Sequence, residues 1–154
     1  MEYLLDLIVF GTELVPPVVL FIIALIKYFK FNKEKALIKP NVTDYELYWA
    51  QNLPEIVEIG AKLNIYNIIM KTTLWVSGII SLLSLLSAIL SASGVFNSFV
   101  AMTMSLTSLS IMCCVTFFCM FKKYREKLNE KNKFIEELVA ESKMTQNAEV
   151  PYEQ

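Results

Sequence analysis

The chain has 154 residues, 55% of them hydrophobic, with a mean hydropathy of +0.48 and a formal net charge of -1. That is too apolar for an ordinary soluble domain and too short for several independent ones. Acids are interleaved among the basic residues, which argues against nucleic-acid binding.

Charge placement says more than its sum. All fourteen Lys and Arg residues fall in two stretches, Lys27–Lys71 and Lys122–Lys143, and the fifty residues Thr72–Phe121 between them carry no Asp, Glu, Lys or Arg. This reads as an all-α integral membrane protein with three transmembrane helices. Loops rich in Lys and Arg translocate poorly, so both basic stretches are expected inside, with the N-terminus and the turn near Ser93–Ser98 outside.

The first span is expected within residues 1–30, at Leu7–Phe29, retained because it has neither a basic start nor a small-residue cleavage site. About 20 residues cover a hydrocarbon core of roughly 30 Å. Lys27 and Lys30 can snorkel to the inner headgroups. Pro16 and Pro17 remove two backbone donors and predict a kink. Glu13 precedes them. If the helix starts near Leu5, Glu13 lies about 12 Å deep at 1.5 Å per residue, where a carboxylate is a functional candidate. In the other reading Tyr3–Thr12 lies along the outer surface and leaves Glu13 among the headgroups.

A cytoplasmic segment is expected over 31–71, with Lys33–Pro40 as a basic linker. Thr43-Asp44-Tyr45-Glu46 has the capping-box pattern of a helix start. Tyr45, Tyr48 and Trp49 then share one face, as a membrane-interface patch or a contact for a neighbouring helix or partner. Pro54 suits the first position of a new helix. From there Ile56, Ile59, Leu63, Tyr66 and Met70 recur at three to four residues, which predicts one helix over roughly Glu55–Ala92.

The third span, about Asn97–Phe121, is expected to continue into a cytoplasmic helix, 122–141. In it Tyr124, Leu128, Ile135 and Leu138 keep near-heptad spacing around Lys131. Residues 142–154 read as a disordered tail. Only Ser93-Gly94-Val95-Phe96 separates the two spans of the segment 72–121, which predicts a tight hairpin. Folding about that turn pairs residue i with one near 189 − i. Glu58 then meets Lys131, and Lys62 falls between Glu126 and Glu130, as in a cytoplasmic helical stalk. Each such exposed pair contributes only about 0–1 kcal/mol.

The second span carries the most informative pattern. At 100° per residue Ser77, Ser81, Ser84, Ser87 and Ser91 fall within an arc of roughly 120°, with Leu82, Leu83, Leu86, Ile89 and Leu90 on the other side. One reading is a close-packing face whose hydroxyls bond across helices or back to their own carbonyls. The other is a wet, uncharged pore lining in a ring of copies. In the third span Ser98, Ser105 and Thr116 lie on one face and Thr103, Thr107, Ser110 and Cys114 nearly opposite. Two non-lipid faces need two sets of neighbours, so self-association is expected.

No nucleophile–base pair, metal spacing, phosphate loop or dinucleotide fingerprint occurs, so neither an enzyme nor a bound cofactor or metal is expected. Glu55, Glu58, Asp44 and Glu46 read as a solvated helix face. Cys113, Cys114 and Cys119 read as reduced packing residues, with Cys119 the one placed for acylation at the inner interface.

The order of spans resembles proton-channel stator proteins of the MotA, TolQ and ExbB type. The Gly-rich motif of their second span is replaced here by Leu74-Trp75-Val76-Ser77-Gly78-Ile79-Ile80, and the third span has no acid. The stretch Glu55–Glu141 also resembles the two-span pore effectors called SLATT domains, with a first span added. Both resemblances imply an oligomer organised around the hairpin. The expectation is therefore a small homo-oligomeric channel or pore-forming protein of a bacterial inner membrane or phage. The alternative is a non-conducting accessory subunit or immunity protein that binds a membrane-protein partner.

Overall fold

The computed structural model describes residues 2–35, 40, 42–92 and 99–148. They form four helices: α1 (Glu2–Lys35), α2 (Asp44–Gln51), α3 (Pro54–Ala92) and α4 (Phe99–Ala148). Three of these, α1, α3 and α4, are long and apolar enough to cross a membrane. The turn around Ser93–Ser98, the side chains of Glu13 and Ser91, and residues 149–154 lie outside the described residues.

Local sequence accounts for the helix boundaries. Thr43 is the N-cap of α2 in extended backbone, φ -67 and ψ 156. Its backbone N–H donates to Glu46 Oε2 at 3.0 Å, and Glu46 N–H donates back to Thr43 Oγ1 at 3.5 Å, closing the capping box. Asn52 ends α2, and α3 restarts at once on Pro54, whose missing N–H is no loss in a first turn. α1 continues as one helix across Pro16 and Pro17 and on to Lys35, so Lys33 and Lys35 of the expected basic linker are helical, and residues 36–39 lie outside the described residues.

The long helices α3 and α4 run antiparallel and form the spine of the molecule. A third helix covers them, and its identity changes along the axis. At the membrane-level end α1 supplies Ala24 to a core with Met70, Leu74 and Phe117. One step further, Phe31 of α1 packs with Leu63 and Tyr124, its ring edge-on to Phe121 at 5.2 Å and to Tyr124 at 5.6 Å. Beyond the end of α1 its place is taken by α2, where Ala50 packs with Ile56, Ile135 and Val139. The apolar period noted along Ile56–Met70 and Tyr124–Leu138 is thus the seam of this three-helix stalk.

Two expectations about the stalk are corrected. Ser77 meets Cys114 and Ser81 meets Ser110, so the register lies two residues further along α4 than a fold with i opposite 189 − i. None of the expected cross-helix contacts closes to an ion pair, and Glu130 acts on Lys62 only as a more distant charge. Lys62 pairs with Glu58 of its own helix at 2.8 Å, and Glu126 and Glu130 are taken by Lys122 at 3.9 Å and Lys127 at 2.6 Å within α4. Lys131 instead lies over Gly60, where an added Cβ would be 4.0 Å from its Nζ. The physical reason is that the seam is set by the buried apolar and hydroxyl residues. Glu58 and Lys62 then fall on the outer, solvated side of α3, where an i,i+4 partner is nearer than the facing helix.

The second correction concerns the tail. α4 continues through Ser142 to Ala148 rather than dissolving at residue 142. Val139 is buried against α2, and Lys143 reaches Glu46 across to α2 at 3.0 Å. Ala140, Glu141, Lys143, Met144 and Gln146 are good helix formers, and the contacts at Val139 and Lys143 tie this end of α4 to α2.

Candidate functional site

The hydroxyl stripe of α3 faces α4 of the same chain. Ser77, Ser81, Ser84 and Ser87 are buried, and so are Thr103, Thr107, Ser110 and Cys114 on the facing helix. Side chains bridge the seam among the described residues: Ser77 Oγ to Cys114 Sγ at 3.0 Å, Ser81 Oγ to Ser110 Oγ at 2.7 Å, and Ser87 Oγ to Thr103 Oγ1 at 2.7 Å. Thr107 turns away and donates to the Met104 carbonyl of its own helix at 2.8 Å. The Ser84 hydroxyl, opposite Thr107 in this register, is buried with no hydrogen-bond partner.

The chemistry follows from residue size as well as polarity. Small side chains let the two backbones approach, and each hydroxyl that meets a partner avoids being stranded in an apolar medium. The far side of α3, with Leu82, Leu83, Leu86, Ile89 and Leu90, is exposed, as a lipid-facing surface should be. A water-facing placement of these serines would require the seam to open. On the other hydroxyl face of α4, Ser105 and Thr116 are exposed among the described residues, with Thr116 donating to Met112 O at 2.9 Å, and Ser98 lies outside them. Cys119 is also exposed, and all three cysteines are free.

The aromatic group of α2 lies elsewhere. Tyr45, Tyr48 and Trp49 are 81%, 70% and 46% exposed, while Leu47 and Ala50 on the other face pack into the stalk. The residues α2 packs against, Ile135 and Val139, lie fourteen or more residues beyond Phe121, about 20 Å along the axis of α4. The patch is therefore presented at the far end of the stalk from the charge-free segment. It is clamped there at both levels of structure. Thr43 caps the helix, and Glu46 binds Lys143. Hydrogen bonds from the Thr43 side chain and backbone, and then from Lys143, lower the Glu46 carboxyl from 4.5 to about 2.

Several features were not picked out from the sequence. Lys27 lies over the Phe118 ring at 5.2 Å and Lys35 over Tyr124 at 5.3 Å, so two of the cations that end α1 also bind it to α4. Between α1 and α3 runs an apolar groove of about 390 Å³, lined by residues that include Phe21, Leu25, Tyr28, Leu74, Trp75 and Gly78. The signal available for it was Gly78, the single glycine of the charge-free stretch of α3. A Cβ there would come within 2.9 Å of Phe21 Cζ.

No family model, curated protein or solved structure matches the chain.

Proposed function

We propose that this is a non-conducting membrane protein that acts by binding a partner, as an accessory subunit or an immunity protein would. The N-terminus lies outside and the stalk in the cytoplasm of a bacterial inner membrane, an orientation that rests on the two basic stretches. The observation that carries the reading is the contrast between the two candidate surfaces. The hydroxyl stripe is occupied within the chain, whereas the α2 aromatics are held outward on a clamped helix at the far end of the stalk. Exposed Tyr and Trp on a rigid element are the residues that dominate protein interfaces.

The test is photo-crosslinking from a reactive amino acid at Tyr48 in native membranes. A single companion recovered in stoichiometric amount is expected, and it should be lost on Trp49→Ala together with Tyr45→Ala. A homogeneous self-oligomer of four or more copies that conducts in planar bilayers would overturn the reading.

One observation favours the homo-oligomeric channel as a second reading. Ser105 and Thr116 lie on one hydroxyl face of α4 and are both exposed among the described residues. A ring of copies could cover it or turn it toward water. In that arrangement α4 would contribute the polar lining, and Thr116→Leu would change conductance whereas Ser81→Leu would act through stability.

A further inference from the structure

The groove between α1 and α3 has walls of one kind and a mouth of another. Along its length it is apolar, and its volume falls within the roughly 300–1,000 Å³ of small-molecule sites. Trp75 forms one wall and is 74% exposed. Phe21 meets Gly78, whereas further along Phe31 meets Leu63, so the two helices run antiparallel here. Seven residues from that first contact in each direction bring Tyr28 level with Lys71. By the 3.6-residue period Lys71 lies on the same face of α3 as Trp75 and Gly78, one turn before Trp75.

Lys71 is the last charge before the fifty-residue charge-free segment. It is exposed and makes no ion pair among the described residues, unlike Lys30, Lys62 and Lys122, each of which has an acidic partner four residues away. The Tyr28 hydroxyl likewise has no hydrogen-bond partner among the described residues. An apolar slot at membrane depth, with a phenol in its lining and an unpaired cation one helical turn beyond Trp75, matches one molecule in its surroundings: a phospholipid with an acidic headgroup.

We propose that the α1–α3 groove is a binding site for an anionic phospholipid, with an acyl chain against Phe21, Gly78 and Trp75 and the phosphate at Lys71 and Tyr28. Charge selects this occupant over a second copy of the chain. A two-fold contact through the same face would set one Lys71 against the other, whereas a phosphate neutralises it.

Trp75 reports occupancy directly. The chain has two tryptophans, and Trp49→Phe leaves Trp75 alone. Full-length protein of this background is reconstituted in phosphatidylcholine vesicles doped with either phosphatidylglycerol or phosphatidylcholine brominated on the acyl chains, and Trp75 quenching is titrated. Brominated phosphatidylglycerol should quench at about fivefold lower mole fraction, the preference that one lysine near the surface supplies. Lys71→Gln should abolish that preference and Lys71→Arg retain it. Lys123→Gln, which removes an exposed lysine of α4 outside the groove, should leave it unchanged. Equal quenching by the two lipids in the parent, or a preference that survives Lys71→Gln, overturns the proposal. So does a preference lost equally in Lys123→Gln, which would mark general surface charge. Quenching that fades as protein density rises would mean that a second copy covers the groove, and would overturn it as well.

Discussion

The hydroxyl seam predicts opposite responses to the same chemical change at two serines one turn apart. Ser81 and Ser84 are both buried in the α3–α4 interface, and both become alanine by loss of one oxygen. Ser81 Oγ lies 2.7 Å from Ser110 Oγ, so Ser81→Ala strands the Ser110 hydroxyl unless it turns back to a carbonyl of its own helix. Interhelical side-chain bonds in membranes average about 0.6 kcal/mol and reach about 1.7. The expected cost is therefore about 0.6 kcal/mol, and a double-mutant cycle with Ser110→Ala should return a coupling of the same size. Ser84 has no partner to lose. Removing a buried, unsatisfied hydroxyl relieves its desolvation cost, and alanine is the better helix former, so Ser84→Ala should be neutral or stabilising by about 1 kcal/mol. The propensity term is common to both variants and cancels in their difference. Reversible unfolding in mixed detergent micelles, followed by circular dichroism, measures it. A Ser84→Ala cost equal to that of Ser81→Ala, or no coupling between positions 81 and 110, would refute the pairing.

Three further outcomes are expected. Thr43→Ala removes the N-cap of α2 and should cost about 1 kcal/mol, read locally as faster hydrogen exchange over 44–51. The Glu46 carboxyl titrates lower when folded than its ordinary 4.5, so its clamp on α2 is fully present above that value and is lost as pH falls through about 2. Protease protection of α2 should fall across that window, and Glu46→Gln should remove the pH dependence; an unchanged acid profile in that variant would reject the clamp. At Gly78, where a Cβ would meet the Phe21 ring at 2.9 Å, Gly78→Leu should destabilise by about 1–3 kcal/mol through overpacking. Phe21→Ala in the same chain should recover part of that loss, and strictly additive costs would place the two side chains apart.

Much of the architecture is legible in residue order because its causes are local. A fifty-residue gap in charge gives two helices long and apolar enough to cross a membrane, and a capping box with Pro54 eight residues later sets helix ends within a turn. The 100° step places Ser77, Ser81, Ser84 and Ser87 on one face whatever surrounds them. That step says which residues share a face, not what covers it. In lipid the apolar alternatives are nearly equivalent, so close packing of small side chains chooses the neighbour. Tertiary structure decided that α4 of the same chain covers the serines, two residues out of the register that folding about the four-residue turn suggested. Buried contacts at Ser81, Met70 and Ile56 outweigh exposed ion pairs, and Glu58 and Lys62 are left to pair with each other. It also decided that this end of α4 docks on α2, through Lys143 and Glu46, which lie far apart in the chain. The apolar groove arises in the same way, because no local pattern can show that Gly78 admits Phe21 from a helix more than fifty residues earlier.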